Sequence, residues 1–186
     1  MGVQLGLRPG ELLGLAWSDV DSGPGVIRVR ASLKRAIGPA AGAKRADLKT
    51  TASHRTLAMP AAVCSVLLAL RKQQAADRLA LGGHYADNGL VFCDSAGRPR
   101  WGQAVSAQFK AICKQAGIGE DWQPRELRHT FVSQLSHGGA SIEAIADAAG
   151  HANSNVTKIV YRHQLADVLT TTATVMDQIY RAGGTA

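Results

Sequence analysis

Arg125 and Arg128 lie three residues apart in PRELRHTFVSQL, residues 124–135, where a helix would set their guanidinium groups side by side. On that helix Leu127, Phe131 and Leu135 form the apolar stripe, Arg128 lies on its edge, and Arg125 sits about 60° further round. Such a pair has two uses. It can remain a solvated basic face, or it can hold an oxyanion, phosphate above all, whose oxygens match the planar fork of arginine. A phosphate clamp needs further polar groups, and the chain offers Arg8 beside Glu11 in GLRPGELLGL, Lys49 in LKTTASHRTLAMP, His151 in AGHANS and Tyr161 in VTKIVYRH.

Each has a plainer reading. Tyr161 could be a half-buried tyrosine at a helix end, with Tyr180 as a rival, and His151 could simply follow a helix C-cap. Lys49 has basic neighbours, Lys44 and Arg45, that read as loop solvation. His54, His84, His137 and His163 have no metal-like spacing with Cys, Asp or Glu, so local hydrogen bonding is expected of them and no metal site.

The elements that must carry these residues follow from periodicity. GLRPGELLGLAW opens a short helix with Pro9 in its first turn. VIRVRASLK, residues 26–34, alternates as a strand, and HRTLAMP supplies another after a loop. Together they predict a small antiparallel sheet with Lys49 at or near a hairpin tip. Residues 61–81 and 102–116 have helical composition, and LVF and GRPR frame a turn between them. Helices are then expected over 125–137, 142–149 and 156–163, the second capped by Ser141 and ended by Gly150. Leu165, Val168, Leu169, Thr172, Met176 and Ile179 make an apolar stripe on an amphipathic segment from Leu165 to Tyr180, expected to dock in cis or onto another protomer.

At 186 residues, 46% of them apolar, the chain has the size of one domain with a buried core. Its formal charge of +7 points to an anionic partner, nucleic acid first. The three cysteines are odd in number and widely spaced; they read as buried thiols of a reducing cytoplasm, with neither a disulfide framework nor a zinc site. No apolar run approaches the roughly 20 residues of a membrane span, and no basic-then-apolar leader opens the chain. A cytoplasmic protein is expected.

Taken in order, the Arg of a G-L-R-x-x-E-L element, a Lys-Thr hairpin, an Arg-His-Thr-Phe helix, a Gly-His and a Tyr ten residues later resemble the catalytic domain of the tyrosine recombinases, the phage integrase family. The resemblance covers nearly the whole chain. It implies an α+β fold, mainly helical, with a small antiparallel three-stranded sheet. It implies site-specific DNA recombination, integration or excision, through a 3′-phosphotyrosyl intermediate. Double-stranded DNA would be the partner, a tetramer on DNA the working assembly, and no cofactor or metal would be needed. Tyr161 would be the nucleophile, Arg8 and Arg128 the clamp on the scissile phosphate, Lys49 the acid that protonates the departing 5′ oxygen, and His151 a hydrogen-bonding partner of a non-bridging oxygen. Glu11 would orient Arg8.

Two departures accompany the resemblance. Arg125 stands where most members carry histidine, and an arginine donates hydrogen bonds but exchanges no proton near neutral pH. His129, about 100° round the helix from Arg128, is no ready substitute. Arg8 also comes almost at the start, so residues 1–186 are expected to be a catalytic domain lacking its first helices and the N-terminal core-binding domain, with 164–186 as the tail. Weak binding of duplex by the isolated chain follows from the smaller number of phosphates it could grip. Two other readings stand beside the enzyme. One is a decayed or truncated remnant that binds DNA weakly without catalysis; the other is a helix-turn-helix regulator built on residues 141–163, which would have no use for Arg8, Lys49 and Arg128.

Overall fold

Pro9 sets the backbone for a helix start, and Glu11 accepts a hydrogen bond from the Arg8 backbone N–H at 2.9 Å, so a five-residue helix forms where sequence alone would support little. In the computed structural model, which describes residues 1–35, 43–48 and 53–151, this helix is α2 (Pro9–Leu13), preceded by α1 (Gly2–Leu5). Gly6 joins them at φ +60°, and a Cβ there would lie 2.3 Å from Cδ1 of Phe131. Only glycine allows both that backbone and that approach.

The chain then runs through a 3-10 turn, Trp17–Asp19, into β1 (Val20–Asp21) and β2 (Val26–Val29). β3 (Ala31–Arg35) and β4 (Ala43–Asp47) follow, then β5 (Arg55–Ala58). β1, β2 and β5 make the expected three-stranded antiparallel sheet, with Ile27 opposite Leu57 and Val29 opposite Arg55. β3 and β4 make a separate two-stranded ribbon, Ala31 opposite Asp47. The run 26–34 is therefore two strands in two sheets. Arg30 stands at the break, and its guanidinium donates to Asp19 Oδ1 from Nε at 3.2 Å and Nη2 at 2.9 Å.

Asp19 organises this end of the molecule. It is 2% exposed, receives the Ala16 backbone N–H on Oδ2, and receives Arg45 Nη2 on the same oxygen at 2.5 Å. Arg45 also donates from Nε to the Gly14 carbonyl at 2.8 Å. The expectation that Arg45 is loop solvation is corrected: it lies on β4 and ties the ribbon to the end of α2. The contact is close enough that a Cβ on Gly14 would come 2.6 Å from the Leu33 backbone nitrogen. β4 ends at Asp47 and β5 begins at Arg55, so Lys49 follows the β3–β4 pair in sequence, and it lies outside the described residues.

The helices agree with the periodic pattern. α3 (Ala61–Leu81), α4 (Gly102–Gln115), α5 (Glu126–His137) and α6 (Ile142–Ala149) fall where expected, with Arg125 at the N-cap of α5. Ser141 Oγ caps α6 by accepting from the Ala144 N–H, and Gly150 ends it at φ +67°. The main core joins Leu5, Leu7, Leu15, Ile27, Val29, Val63, Leu67 and Val91; Phe131, Val132, Ile145 and Ala149 form a second cluster between α5 and α6. Leu127 and Leu135 are half-buried, and Val132 joins Phe131 in the core stripe. Cys113 is buried, but Cys64 and Cys93 are only half-buried, which corrects the expectation of three buried thiols. Among the described residues no helix is long and apolar enough to cross a membrane. The helices expected over 156–163 and 165–180 lie outside the described residues.

Candidate active site

Two long-range hydrogen bonds draw the ends of the described chain together. Arg128, on α5, donates from Nη1 to the Gly6 carbonyl at 2.6 Å, and Gly6 stands two residues before Arg8. Arg8 donates from Nη2 to the Gly150 carbonyl at 3.1 Å, and Gly150 stands one residue before His151. Each guanidinium is thus fixed by the backbone next to another candidate residue. The Arg8 side chain keeps 41% of its surface exposed, so one edge is held and another faces solvent.

Glu11 pairs with Arg8. Its carboxylate is 2% exposed and takes Arg8 Nη1 on Oε1 at 2.8 Å. Burial alone would raise its pKa, but the hydrogen bonds and charge of Arg55 and Arg8 outweigh burial and hold it below the usual carboxylate value. Arg55 is the residue that reading the sequence missed. It donates to Glu11 Oε2 from Nη2 at 2.9 Å, to the Ala148 carbonyl from Nε at 2.8 Å, and to the Ser53 carbonyl from Nη1 at 3.1 Å. Its side chain is 6% exposed. A signal did exist: alternation along β5 puts Arg55 on the same face as Leu57, the side that packs on the main core.

The C-terminus of α6 receives both arginines. Its carbonyls Ala148 and Gly150 are among the last of the helix, where unpaired C=O groups and the macrodipole favour cations. The Gly150 turn also directs the His151 backbone N–H onto the Ala146 carbonyl at 3.0 Å, which fixes where the imidazole starts. His151 is half-buried, and burial, followed by the charges of Arg128, Arg8, Arg55 and His129, pushes its pKa down to about 4. The ring is therefore neutral at pH 7, with one N–H donor and one acceptor nitrogen. His129, discounted on the helix wheel, lies close enough for its charge to act on His151.

The low value has a measurable consequence. As pH falls from 6.5 towards 4, the unfolded chain protonates this histidine while the folded protein does not. Stability is lost through that window on acidification and regained as pH rises. His151→Gln is expected to lose less than the parent over the same range. Urea midpoints recorded at a series of pH values measure the difference; parallel curves would refute the assignment.

Arg125 is exposed and lines a shallow hollow with Pro9, Ser106, Gln123 and Pro124, which places it beside the residue that follows Arg8. Arg8, Arg128, His151, Glu11 and Arg125 are thus brought into one region, whereas Lys49 and Tyr161 lie outside the described residues. A hollow between α2, β3 and the start of α4 is lined by Leu13, Leu33, Lys34 and Trp101 and by none of Arg8, Arg128 and His151. No group of three or more His, Cys, Asp and Glu side chains able to hold a metal occurs among the described residues.

Comparison with known proteins gives concordant matches. Residues 2–167 match the phage integrase family. An integrase of Streptomyces ambofaciens is 44% identical over 139 residues, 74% of this chain and 36% of that protein. A XerC-like tyrosine recombinase of Caldanaerobacter subterraneus subsp. tengcongensis is 27% identical over 184 residues, 94% of this chain and 47% of that protein. Among solved structures, the Tn1549 transposon integrase in complex with circular intermediate DNA aligns with a TM-score of 0.72 at 24% identity, over 84% of this chain and 51% of that one. XerA recombinase aligns at 0.67 and 22%, over 91% and 54%. These structures share the predominantly helical α+β fold described above, and the chain spans less than half the length of the two relatives.

Proposed function

Since the chain belongs to the phage integrase family, we propose that residues 1–186 act as the catalytic part of a site-specific DNA recombinase, with residues 164–186 as an amphipathic tail. It cleaves and rejoins strands through a 3′-phosphotyrosyl link, on double-stranded DNA in the bacterial cytoplasm, in a tetramer assembled on two duplexes. The observation that carries this reading is the pinning of Arg8 and Arg128 onto the Gly150 and Gly6 carbonyls beside a neutral His151.

In the proposed reaction Tyr161 Oη attacks the scissile phosphorus and gives up its proton. The P–O5′ bond breaks, and the departing 5′ oxygen takes a proton from Lys49. Resealing is the reverse. A phenol with a pKa of about 10 makes a poor nucleophile in water, so the site must stabilise the charge that builds on the phosphoryl oxygens. Arg8 and Arg128 do this from positions set before DNA arrives, and preorganised donors need no rearrangement as that charge develops. His151, neutral at pH 7, has both a donor for a non-bridging oxygen and an acceptor for the phenol proton. Arg125 donates hydrogen bonds from the rim and moves no proton. The regulator reading finds no support in α6, whose last carbonyls are engaged by Arg8 and Arg55.

The test uses nicked duplexes tiled across the DNA that flanks the gene, which trap the intermediate when the short 5′ product diffuses away. The chain is expected to form a denaturant-resistant adduct on at least one tile, and Arg128→Ala to cleave that tile about 10²- to 10³-fold more slowly. Absence of adduct on every tile, or Arg128→Ala cleaving at the parent rate, would overturn the reading.

A further inference from the structure

We propose that Arg55 is a positioning residue for strand cleavage, one side chain that sets Arg8, His151 and the Ser53 carbonyl in register. This rests on the function proposed above. Its three donor nitrogens serve three separate parts of the chain: Nη2 meets Glu11, which in turn holds Arg8; Nε meets the Ala148 carbonyl, three residues before His151; Nη1 meets the Ser53 carbonyl, four residues after Lys49. These contacts span 44, 93 and 2 residues of sequence, so no local element would hold the same arrangement without it. At 6% exposure the guanidinium is too enclosed to meet DNA, which separates it from the clamp arginines. The fit is close on the α6 side, where a Cβ on Gly150 would come 2.9 Å from Arg55 Nη1.

Simple stabilisation does not account for an arginine here. A buried ion pair adds little to stability over well-packed apolar groups, whereas a planar fork with fixed donor directions can meet three acceptors in three directions at once. Lysine could keep the ion pair with Glu11 but, as a single ammonium on a flexible stem, would not hold the Ala148 and Ser53 carbonyls in the same geometry. Misplacement of a reacting group by about 1 Å can cost on the order of 10²-fold in rate.

The experiment compares the chain with Arg55→Lys, using a nicked duplex that the parent cleaves. Thermal unfolding reports folding, a titration reports duplex Kd, single-turnover cleavage at saturating duplex reports the rate, and carbon-13 NMR of labelled histidine reports the His151 ring. The expected result is a folded variant with Kd within about threefold of the parent, cleavage slowed about 100-fold, and His151 ring signals displaced. Should Arg55→Lys fail to fold, the double variant Glu11→Gln with Arg55→Met leaves no buried charge and takes its place in the same measurements. A folded variant that cleaves within threefold of the parent and leaves the His151 signals in place overturns the proposal. A parent that cleaves nothing removes the functional reading instead, and the NMR comparison then decides Arg55 by itself: displaced ring signals sustain it and unmoved ones end it.

Discussion

Tyr161→Phe is expected to abolish the covalent protein–DNA adduct, while Tyr180→Phe forms it at the parent rate. The substitution removes one oxygen and keeps the ring, so folding is retained and only the proposed nucleophile is lost. No other side chain takes over, because the attacking atom must be held in line with the bond to the 5′ oxygen and a displaced hydroxyl forfeits that alignment. Loss of a covalent nucleophile lowers the rate by on the order of 10⁴-fold or more, beyond the range of a gel assay for labelled DNA attached to protein. The placement of Tyr161 ten residues after His151 singles it out, since Tyr180 lies 29 residues beyond that histidine. Adduct formed by Tyr161→Phe, or lost in Tyr180→Phe, would transfer the role to another residue.

Glu11→Ala is expected to be the most destabilising substitution in the site, lowering stability by roughly 3–5 kcal/mol, because it leaves Arg55 charged, buried and without its carboxylate. For a protein of this length each kcal/mol moves the midpoint by about 2–4 °C, so a Tm decrease of about 6–20 °C is expected. Arg8→Ala removes the more exposed partner of the same carboxylate and leaves Glu11 still paired with Arg55, so its cost should stay near about 1 kcal/mol. Urea denaturation of the two variants measures the asymmetry, and equal costs would contradict it. Glu11 also acts on the acid side. Its folded pKa lies below the ordinary 4.5, so its contribution is complete above that value and is lost as pH falls through the lowered one.

The local settings of Arg8, Arg128 and His151 were legible in the sequence. Arg8 lies three residues from Glu11 and beside a helix-starting proline, Arg128 borders an apolar stripe of period 3.6, and His151 follows a glycine that ends a capped helix. The distant partners of Arg55 and Asp19 were not legible. Those partners lie 11 to 93 residues away, and nothing in HRTLAMP or AWSDV states which carbonyl or guanidinium will arrive there. The division of residues 26–34 into two strands was hidden for the same reason. An unbroken alternation gives no sign that Arg30 will turn towards a carboxylate buried by a different turn. Arg45 repeats the lesson, since a basic residue in a polar stretch looks solvated until Asp19 and the Gly14 carbonyl are placed against it.

The cluster of Arg8, Arg55, Arg128 and Glu11 has a charge balance that bears on the proposed reaction. Three guanidiniums against one carboxylate, beside a neutral imidazole, leave an excess of two positive charges. A bound phosphodiester carries one negative charge and would neutralise only half of it. In the proposed reaction the five-coordinate phosphorane carries two, so the fleeting species, more than resting DNA, answers the positive charge of the cluster. A site charged in this way holds an intact duplex less firmly than it could, and reserves its full attraction for the moment the bond is breaking.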